Sequence, residues 1–155
     1  MPVERTIKII SDAVYNSTET LPPPFDKSIL EKLLRSCTTS SPFKHIDGSL
    51  YLQTDGIAMG SPLGVAFADF FMSFVENKVL GDQDLCPKTY ARYVDDCFVV
   101  VRDRKHLEDL KNAMELESGL EFTYELGVEN KLNFLDVNIN SSELVYTTSV
   151  YKKRH

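Results

Sequence analysis

The stretch YARYVDDCFVVV, residues 90–101, places two adjacent carboxylates, Asp95 and Asp96, between two runs rich in β-branched and aromatic residues. Such runs favour β-strands, and acidic residues are common in the turn that joins two strands. The pattern therefore predicts a β-hairpin with both acids at its turn. Because side chains alternate along a strand, a turn is where two neighbouring carboxylates can approach one point.

Two carboxylates held close together repel each other unless a cation lies between them, and hard cations such as Mg²⁺ bind oxygen ligands of this kind. The turn is therefore a candidate metal site with Asp95 and Asp96 as ligands. The alternative is structural, because Asp is a preferred turn residue that hydrogen-bonds to nearby backbone. The hairpin pattern alone is compatible with both interpretations.

The segment GIAMGSPLG, residues 56–64, lies upstream of the hairpin. Its glycines permit close backbone approach, Ser61 is a candidate helix cap, and Pro62 suits the first turn of a helix. The helix predicted over residues 62–80 is apolar nearly all the way round, which indicates burial on most sides. Its N-terminus offers free N–H groups to a phosphate or to the backbone around a base pair. A well-capped helix without a ligand is the alternative.

The rest of the chain predicts further helices and strands. Helical spacing covers residues 3–15, a stretch after Asp26 with a buried apolar stripe (Ile29, Leu30, Leu33 and Leu34), and residues 104–118 between Asp103 and Gly119. A tight hairpin is centred on Asp47-Gly48. Three strand-like runs close the chain: EFTYEL (121–126), KLNFLDVNI (131–139) and LVYTTSVY (144–151). This order of elements is typical of the α+β class.

Composition limits the classes of protein that fit. A chain of 155 residues with 43% hydrophobic and 26% charged residues suits one folded domain. The net charge of −6 excludes a surface that is basic all over, so contact with phosphate must be local or carried by metal ions. Three cysteines match no zinc or disulfide pattern. The absence of a secretion signal and of a stretch long enough to cross a bilayer predicts an intracellular protein, nuclear or cytoplasmic, without membrane contact.

Histidine and tyrosine give weaker signals. His45, His106 and His155 have no metal-ligand spacing and are expected at the surface. Four tyrosines are expected to pack within strands, although stacking on bases is the alternative: Tyr90, Tyr93, Tyr124 and Tyr146.

Four motifs in order resemble the palm of a reverse transcriptase: GIAMGSPLG, an apolar helix with ADFFM (68–72) and Glu76, YVDD about thirty residues later, and FLDVNI (134–139). The residues of these motifs most resemble those of Penelope-like retroelements, whose enzymes are relatives of telomerase. The resemblance covers most of the chain, so residues 1–151 are assigned to one partial reverse transcriptase domain and residues 152–155 to a basic tail. It implies an antiparallel sheet packed on helices.

The resemblance implies that Asp95 is the acid of the YxDD box that binds the catalytic Mg²⁺ pair, with Asp96 as its neighbouring catalytic acid. Mn²⁺ is an alternative metal. The activity implied is RNA-directed DNA polymerisation, a two-metal nucleotidyl transfer. The implied partners are an RNA template, a DNA primer and deoxynucleoside triphosphates. Gly60, Ser61 and Pro62 match the loop that contacts the template and the incoming nucleotide.

Two further assignments come from the same resemblance. Lys131 matches the position of a lysine that protonates the pyrophosphate leaving group, and a solvated lysine is the alternative. Phe134, Leu135 and Asp136 match the primer grip, and for the first two a core strand is the alternative.

The sequence also departs from the family pattern. The family's first metal-binding acid lies on a strand just before the helix that begins here at Val3, and Asp12 cannot replace it because it lies inside that helix. The isolated chain is therefore expected to hold metal poorly and to catalyse little. In related palms that strand lies beside the YVDD hairpin. Exposed apolar sheet surface is therefore expected, with marginal stability or self-association.

Two other functions fit the residues. One is a non-catalytic retroelement remnant that acts as an RNA-binding or protein-interaction module. The other is a phosphoryl-receiver domain that uses Asp95 and Asp96 with Mg²⁺. The receiver is disfavoured because such folds alternate strands and helices from their first strand, whereas this chain opens with two helices.

Overall fold

The computed structural model describes residues 1–18, 21, 23–39, 42–53, 56–58, 61–142 and 145–151. Its helices are α1 (Val3–Asn16), α2 (Lys27–Thr39), α3 (Pro62–Leu80) and α4 (Arg104–Ser118). Its strands are β1 (Pro42–Lys44), β2 (Leu50–Leu52), β3 (Thr89–Tyr93), β4 (Asp96–Val100), β5 (Lys131–Phe134), β6 (Val137–Ser142) and β7 (Val145–Val150). The α+β class is confirmed. The basic tail, 152–155, lies outside the described residues.

Capping residues set the ends of α4 as the sequence predicts. The Asp103 side chain accepts a hydrogen bond from the His106 backbone N–H at 2.8 Å. At the other end Gly119 has a φ of +68°, a left-handed conformation that glycine adopts at little cost. Ser61 is the N-cap residue of α3, but its side chain makes no capping hydrogen bond to any described residue.

The core lies along one side of α3. Four of its residues recur at intervals of four and are at most 8% exposed: Phe67, Phe71, Val75 and Val79. The first packs with Ile7 and Ile10 of α1, and the other three pack with Leu110 and Met114 of α4. The prediction that α3 is buried on most sides is therefore wrong. Its outer residues Phe70 and Phe74 are 44% and 38% exposed, because α1 and α4 cover only one side.

Glu117, near the end of α4, ties three helices together. Its carboxylate accepts hydrogen bonds from Arg5 of α1 and from Lys78 of α3, the latter at 2.7 Å. Arg5 also donates to the Glu117 backbone carbonyl at 2.5 Å. The hydrogen bond from Lys78 lowers the pKa of Glu117 below its ordinary value; burial opposes the shift and Arg5 adds to it.

Glu117→Gln is expected to lower the free energy of unfolding by about 1 kcal/mol at neutral pH, as for a partly exposed ion pair. Because the folded pKa lies below the unfolded value, near 4.5, the carboxylate's contribution is present above that value. It is lost as the pH falls through the folded pKa. Urea unfolding at about pH 7 and about pH 3 measures both effects, and the difference from wild type should shrink in acid. An equal difference at both pH values would contradict the ion-pair explanation.

Helix α2 buries less of its apolar face than its spacing predicts. Ile29 and Leu33 are 43% and 51% exposed, whereas Leu34 packs against the cluster beneath α1. Arg35 of α2 also donates to both carboxylate oxygens of Glu4 on α1, at 2.8 and 2.6 Å. The predicted stripe is therefore only partly buried, because polar contacts share the α1–α2 interface with apolar ones.

His106 is buried, contrary to the surface position predicted for it. It is 4% exposed, and its Nε2 lies 3.0 Å from the carbonyl oxygen of Leu85. Its Nδ1 accepts a hydrogen bond from Arg102 Nε at 3.2 Å. With both ring nitrogens bonded, the imidazole connects α4 to the loop that follows α3.

The strands form three antiparallel sheets, in the orders β1-β2, β3-β4 and β5-β6-β7. The hairpin predicted at Asp47-Gly48 is confirmed, with a φ of +87° at the glycine. The run KLNFLDVNI is not one strand as predicted. Phe134 pairs with Val137, so Leu135 and Asp136 form a two-residue turn between β5 and β6. Asp favours such turns, and the alternating apolar residues around it conceal the turn in the sequence.

The run EFTYEL, 121–126, is not a strand as predicted. It pairs with no strand in the described part of the chain, although burial alternates along it, with Phe122 and Tyr124 turned inward. The Phe122 N–H donates to Glu115 Oε1 at 2.8 Å, and the Tyr124 hydroxyl donates to Glu108. The segment keeps the periodicity of a strand while its hydrogen bonds run to α4. A sheet needs a neighbouring strand, which the described residues do not supply here.

The protein exposes more surface than a compact protein of its mass. Its accessible surface is 11599 Å², whereas a folded monomer of 17.6 kDa exposes about 7,900 Å². The exposed surface includes large apolar side chains, as in the β1–β2 hairpin, where Leu50 and Leu52 are 76% and 60% exposed. In the part of the chain that the structure describes, no helix combines the length and apolar character needed to cross a membrane.

Candidate functional site

The predicted β3–β4 hairpin is confirmed, but only Asp95 lies in its turn, because Asp96 is the first residue of β4. Its last residue pair is Tyr93 with Asp96, so Val94 and Asp95 form a two-residue turn. Val94 has a φ of +56° at the first position of this turn, where glycine usually supplies such a conformation. For a β-branched residue this strain costs about 1–3 kcal/mol, and strained residues cluster at functional sites. The turn is therefore a candidate site on geometry as well as on sequence.

Asp95 and Asp96 are exposed, and both line one cavity of about 700 Å³. The cavity lies between the hairpin, α3, α4 and residues 120–134. Its other walls are largely apolar and include Phe71, Val99, Leu110, Met114 and Phe122. The two carboxylates thus border a shared space, as a pair of metal ligands requires.

An ion cluster beneath the turn connects the hairpin to α3. Arg92 Nε donates to Glu76 Oε1 at 2.5 Å. Arg92 Nη1 donates to Asp69 Oδ1 at 3.0 Å and to the Val94 carbonyl at 3.1 Å. The Tyr90 hydroxyl donates to the same Glu76 oxygen at 2.8 Å. The side chains of Arg92 and Glu76 are only 13% and 15% exposed, so this pair is largely shielded from water, whereas that of Asp69 is 59% exposed.

Burial raises the pKa of Tyr90 far above its ordinary value, and the contacts with Cys97 and Glu76 raise it further. Burial acts to lower the pKa of Arg92, but its hydrogen bonds to Glu76 and Asp69 outweigh that effect and raise it. Near neutral pH the phenol is therefore a donor and the guanidinium stays charged. The packing role predicted for the tyrosines agrees with the half-buried position of Tyr90. It is wrong for Tyr93 and Tyr146, which are 61% and 58% exposed, and Tyr124 is half-buried but lies outside the strands.

The cavity also lies between β4 and the extended segment 120–126. Among the described strands β4 pairs only with β3, so its other edge is unpaired. The hydrogen bond from Lys111 and then that from the Phe122 N–H lower the pKa of Glu115, and the second of these bonds connects this segment to α4. An open strand edge beside an apolar cavity is the usual setting for addition of a further strand.

The acids at the turn suit magnesium in their chemistry. Mg²⁺ binds hard oxygens and commonly takes one or two protein carboxylates, with water and substrate phosphates completing its coordination. Within the described ranges, no group of three or more His, Cys, Asp or Glu side chains is arranged as a metal site. Asp95 and Asp96 are a candidate pair of carboxylate ligands on the chemistry of their oxygens alone.

The predicted template loop is described in part. Gly60 lies outside the described residues. Ser61 is half-buried, its N–H donates to the Ala58 carbonyl at 3.1 Å, and Pro62 begins α3. Ser61 is not among the described residues that line the cavity. Helix α3 runs from this loop to Asp69 in the ion cluster, so one rigid element connects the two predicted sites.

The predicted primer grip lies on the β5–β6 hairpin. Phe134 lines the cavity that the two acids share, and its ring lies 5.6 Å from that of Phe98 on β4. Leu135 and Asp136 form the adjacent turn, with φ of +54° at Leu135. Lys131 begins β5, is exposed, and is not among the described cavity-lining residues. Phe134 therefore lines the same cavity as the two acids, whereas Lys131 is not among the described residues that line it.

The sequence analysis did not assign site roles to Arg92, Asp69 or Glu76. Tyr90 and Arg92 are two apart on a strand, and Asp69 and Glu76 are seven apart on an apolar helix, so each pair shares one face. The feature of the sequence that could have indicated this cluster was the pair of acids at this spacing on a mostly apolar helix. Comparison of the chain with protein-family models, with curated proteins and with solved structures finds no match.

Proposed function

We propose that this protein is the palm part of an RNA-directed DNA polymerase of the Penelope-like type, which transfers nucleotides with two Mg²⁺ ions in the complete enzyme. The observation that carries the proposal is the strained Val94-Asp95 turn, which places two carboxylates on one cavity. The order of the four motifs supports the class of chemistry, and the ion cluster supports a rigid site.

In this proposal, Asp95 and Asp96 hold the metal through their carboxylate oxygens. When bound, the metal ions activate the primer 3′ hydroxyl and neutralise the leaving phosphates. Phe134 borders the same cavity and supplies an apolar ring for the primer end. The first turn of α3, after Ser61, offers backbone N–H groups to the template strand. The chain's own contribution is therefore chiefly to position charged and apolar groups.

Asp95→Asn is expected to reduce Mg²⁺-dependent extension of oligo(dT) on poly(rA) about 100-fold, to the level without enzyme. The factor is equivalent to roughly 2.7 kcal/mol of lost transition-state stabilisation, plausible for a metal ligand. Wild type is expected to extend weakly but measurably at high protein concentration. The control, Asp109→Asn, changes a half-exposed carboxylate on α4 and should leave extension unchanged. Equal background for wild type and Asp95→Asn would contradict the proposal.

A non-catalytic interaction module is the second candidate. The observation that favours it is the large apolar surface, including the exposed side chains of the β1–β2 hairpin. In that case RNA or protein binding would be unchanged in Asp95→Asn, and no variant would extend the primer. The extension assay, run beside a binding assay on the same preparations, separates the two functions.

A further inference from the structure

The Arg92 guanidinium occupies a central position beneath the acidic turn. It reaches two carboxylates on α3, Glu76 at 2.5 Å and Asp69 at 3.0 Å, and one backbone oxygen, that of Val94, at 3.1 Å. The Val94 carbonyl belongs to the peptide unit that leads into Asp95. Arg92 therefore contacts both the helix and the backbone that orients the first acid.

The anchor on α3 is itself held in place. Glu76 accepts a second hydrogen bond, from the Tyr90 hydroxyl at 2.8 Å, and is only 15% exposed. Tyr90 and Arg92 lie on the same face of β3, so this strand donates two hydrogen bonds to one carboxylate oxygen, Glu76 Oε1. Glu76 therefore has little freedom to turn away and release the guanidinium.

The charges in this cluster argue against phosphate binding by Arg92. One guanidinium faces two carboxylates, so the cluster carries no spare positive charge for a nucleotide. Its planar guanidinium reaches the three acceptors from two nitrogens, Nε and Nη1, an arrangement that the single nitrogen of an ammonium group does not reproduce. The hydrogen bond from Arg92 to the Val94 carbonyl can instead stabilise the turn. This turn is unfavourable for its own sequence, because Val94 is β-branched and has a positive φ.

We propose that Arg92, anchored by Glu76 and Asp69, is a positioning residue that holds the Val94-Asp95 peptide in its left-handed turn and so fixes the Asp95 carboxylate for metal binding. This inference rests on the proposed metal-binding role of the turn. Arg92 touches neither metal nor substrate in this scheme and acts through the backbone of Val94. Residues that orient a metal ligand typically alter metal affinity by 10- to 100-fold when replaced.

The test measures Mn²⁺ binding by electron paramagnetic resonance on the full chain, with Mn²⁺ as the probe. Arg92→Lys, which keeps the charge but loses the planar guanidinium, is expected to weaken Mn²⁺ binding about tenfold. Arg5→Lys is the matched control, because Arg5 pairs with Glu117 between α1 and α4 and does not line the cavity. It should lower the melting temperature and leave Mn²⁺ affinity unchanged. Asp69→Asn, at a half-exposed anchor, should weaken binding by a smaller factor.

A rescue distinguishes positioning from general stabilisation. Glycine accepts the positive φ at residue 94 without strain, so Val94→Gly combined with Arg92→Lys is expected to recover most of the lost Mn²⁺ affinity. Wild-type affinity in Arg92→Lys, an equal loss in Arg5→Lys, or no recovery with Val94→Gly would each overturn the inference.

The same measurements separate this inference from the proposed function. If Asp95→Asn binds Mn²⁺ as wild type does, the metal-binding role of the turn is wrong. In that case the three-bond N–H to Hα coupling of Val94, measured by NMR, still tests the effect of Arg92 on the turn. If Asp95→Asn loses binding while Arg92→Lys keeps both its affinity and the Val94 coupling, only the positioning inference fails.

Discussion

Phe71→Ala is expected to bring the protein close to its unfolding transition at room temperature. Phe71 is 1% exposed on α3, where it packs with Val75 of the same helix and with Leu110 and Met114 of α4. Removing a buried phenylalanine ring costs about 3–5 kcal/mol, because the site loses apolar burial and retains a cavity. A whole domain is stabilised by only about 5–15 kcal/mol. With its large exposed surface this chain is expected near the lower limit, so the substitution should remove most of its stability.

Thermal unfolding followed by circular dichroism measures the effect, with Phe70→Ala as the control. Phe70 is the preceding residue on the same helix, but it is 44% exposed. Its replacement should cost less than about 1 kcal/mol, as is usual for partly exposed positions. Similar losses for the two variants would contradict the placement of the core on one side of α3.

The wild-type chain is expected to self-associate at micromolar concentration. Its accessible surface of 11599 Å² exceeds the value for its mass by about 3,700 Å², whereas a stable interface needs roughly 800 Å² from each partner. The excess includes apolar side chains on sheets with open edges, which are known sites of strand-to-strand association. Leu50 in β2 and Val150 in β7 are 76% and 78% exposed.

Sedimentation over a range of concentrations measures this association, and binding of an apolar dye reports the surface. Leu50→Lys is expected to shift the equilibrium toward monomer with little change in melting temperature, since a charged edge residue blocks strand pairing and Leu50 belongs to no buried cluster. A concentration-independent monomer that melts in one sharp transition would contradict this prediction.

Local features of the chain were predictable because short-range physics decides them. Asp103 and Gly119 mark the two ends of α4, Asp47-Gly48 marks a hairpin, and the acids at 95 and 96 mark another. These caps and turns depend on backbone hydrogen bonds and on φ preferences within a few residues, so they could be identified in the sequence, whereas the turn at Leu135-Asp136 could not. The local turn brings both acids to the tip of the hairpin, whereas the cavity that they line is formed by distant elements, α3, α4 and residues 120–134.

Burial and pairing depended on contacts between distant parts of the chain. Helix α3 is apolar on several sides, yet only the side with Phe67 and Phe71 is covered, because α1 and α4 both pack there. Residues 121–126 have the alternation of a strand, but a strand forms only where a neighbour offers its backbone. The contact between Arg92 and Glu76 likewise joins a strand to a helix 16 residues away. Periodicity shows which residues share a face, whereas only the packed chain shows what that face meets.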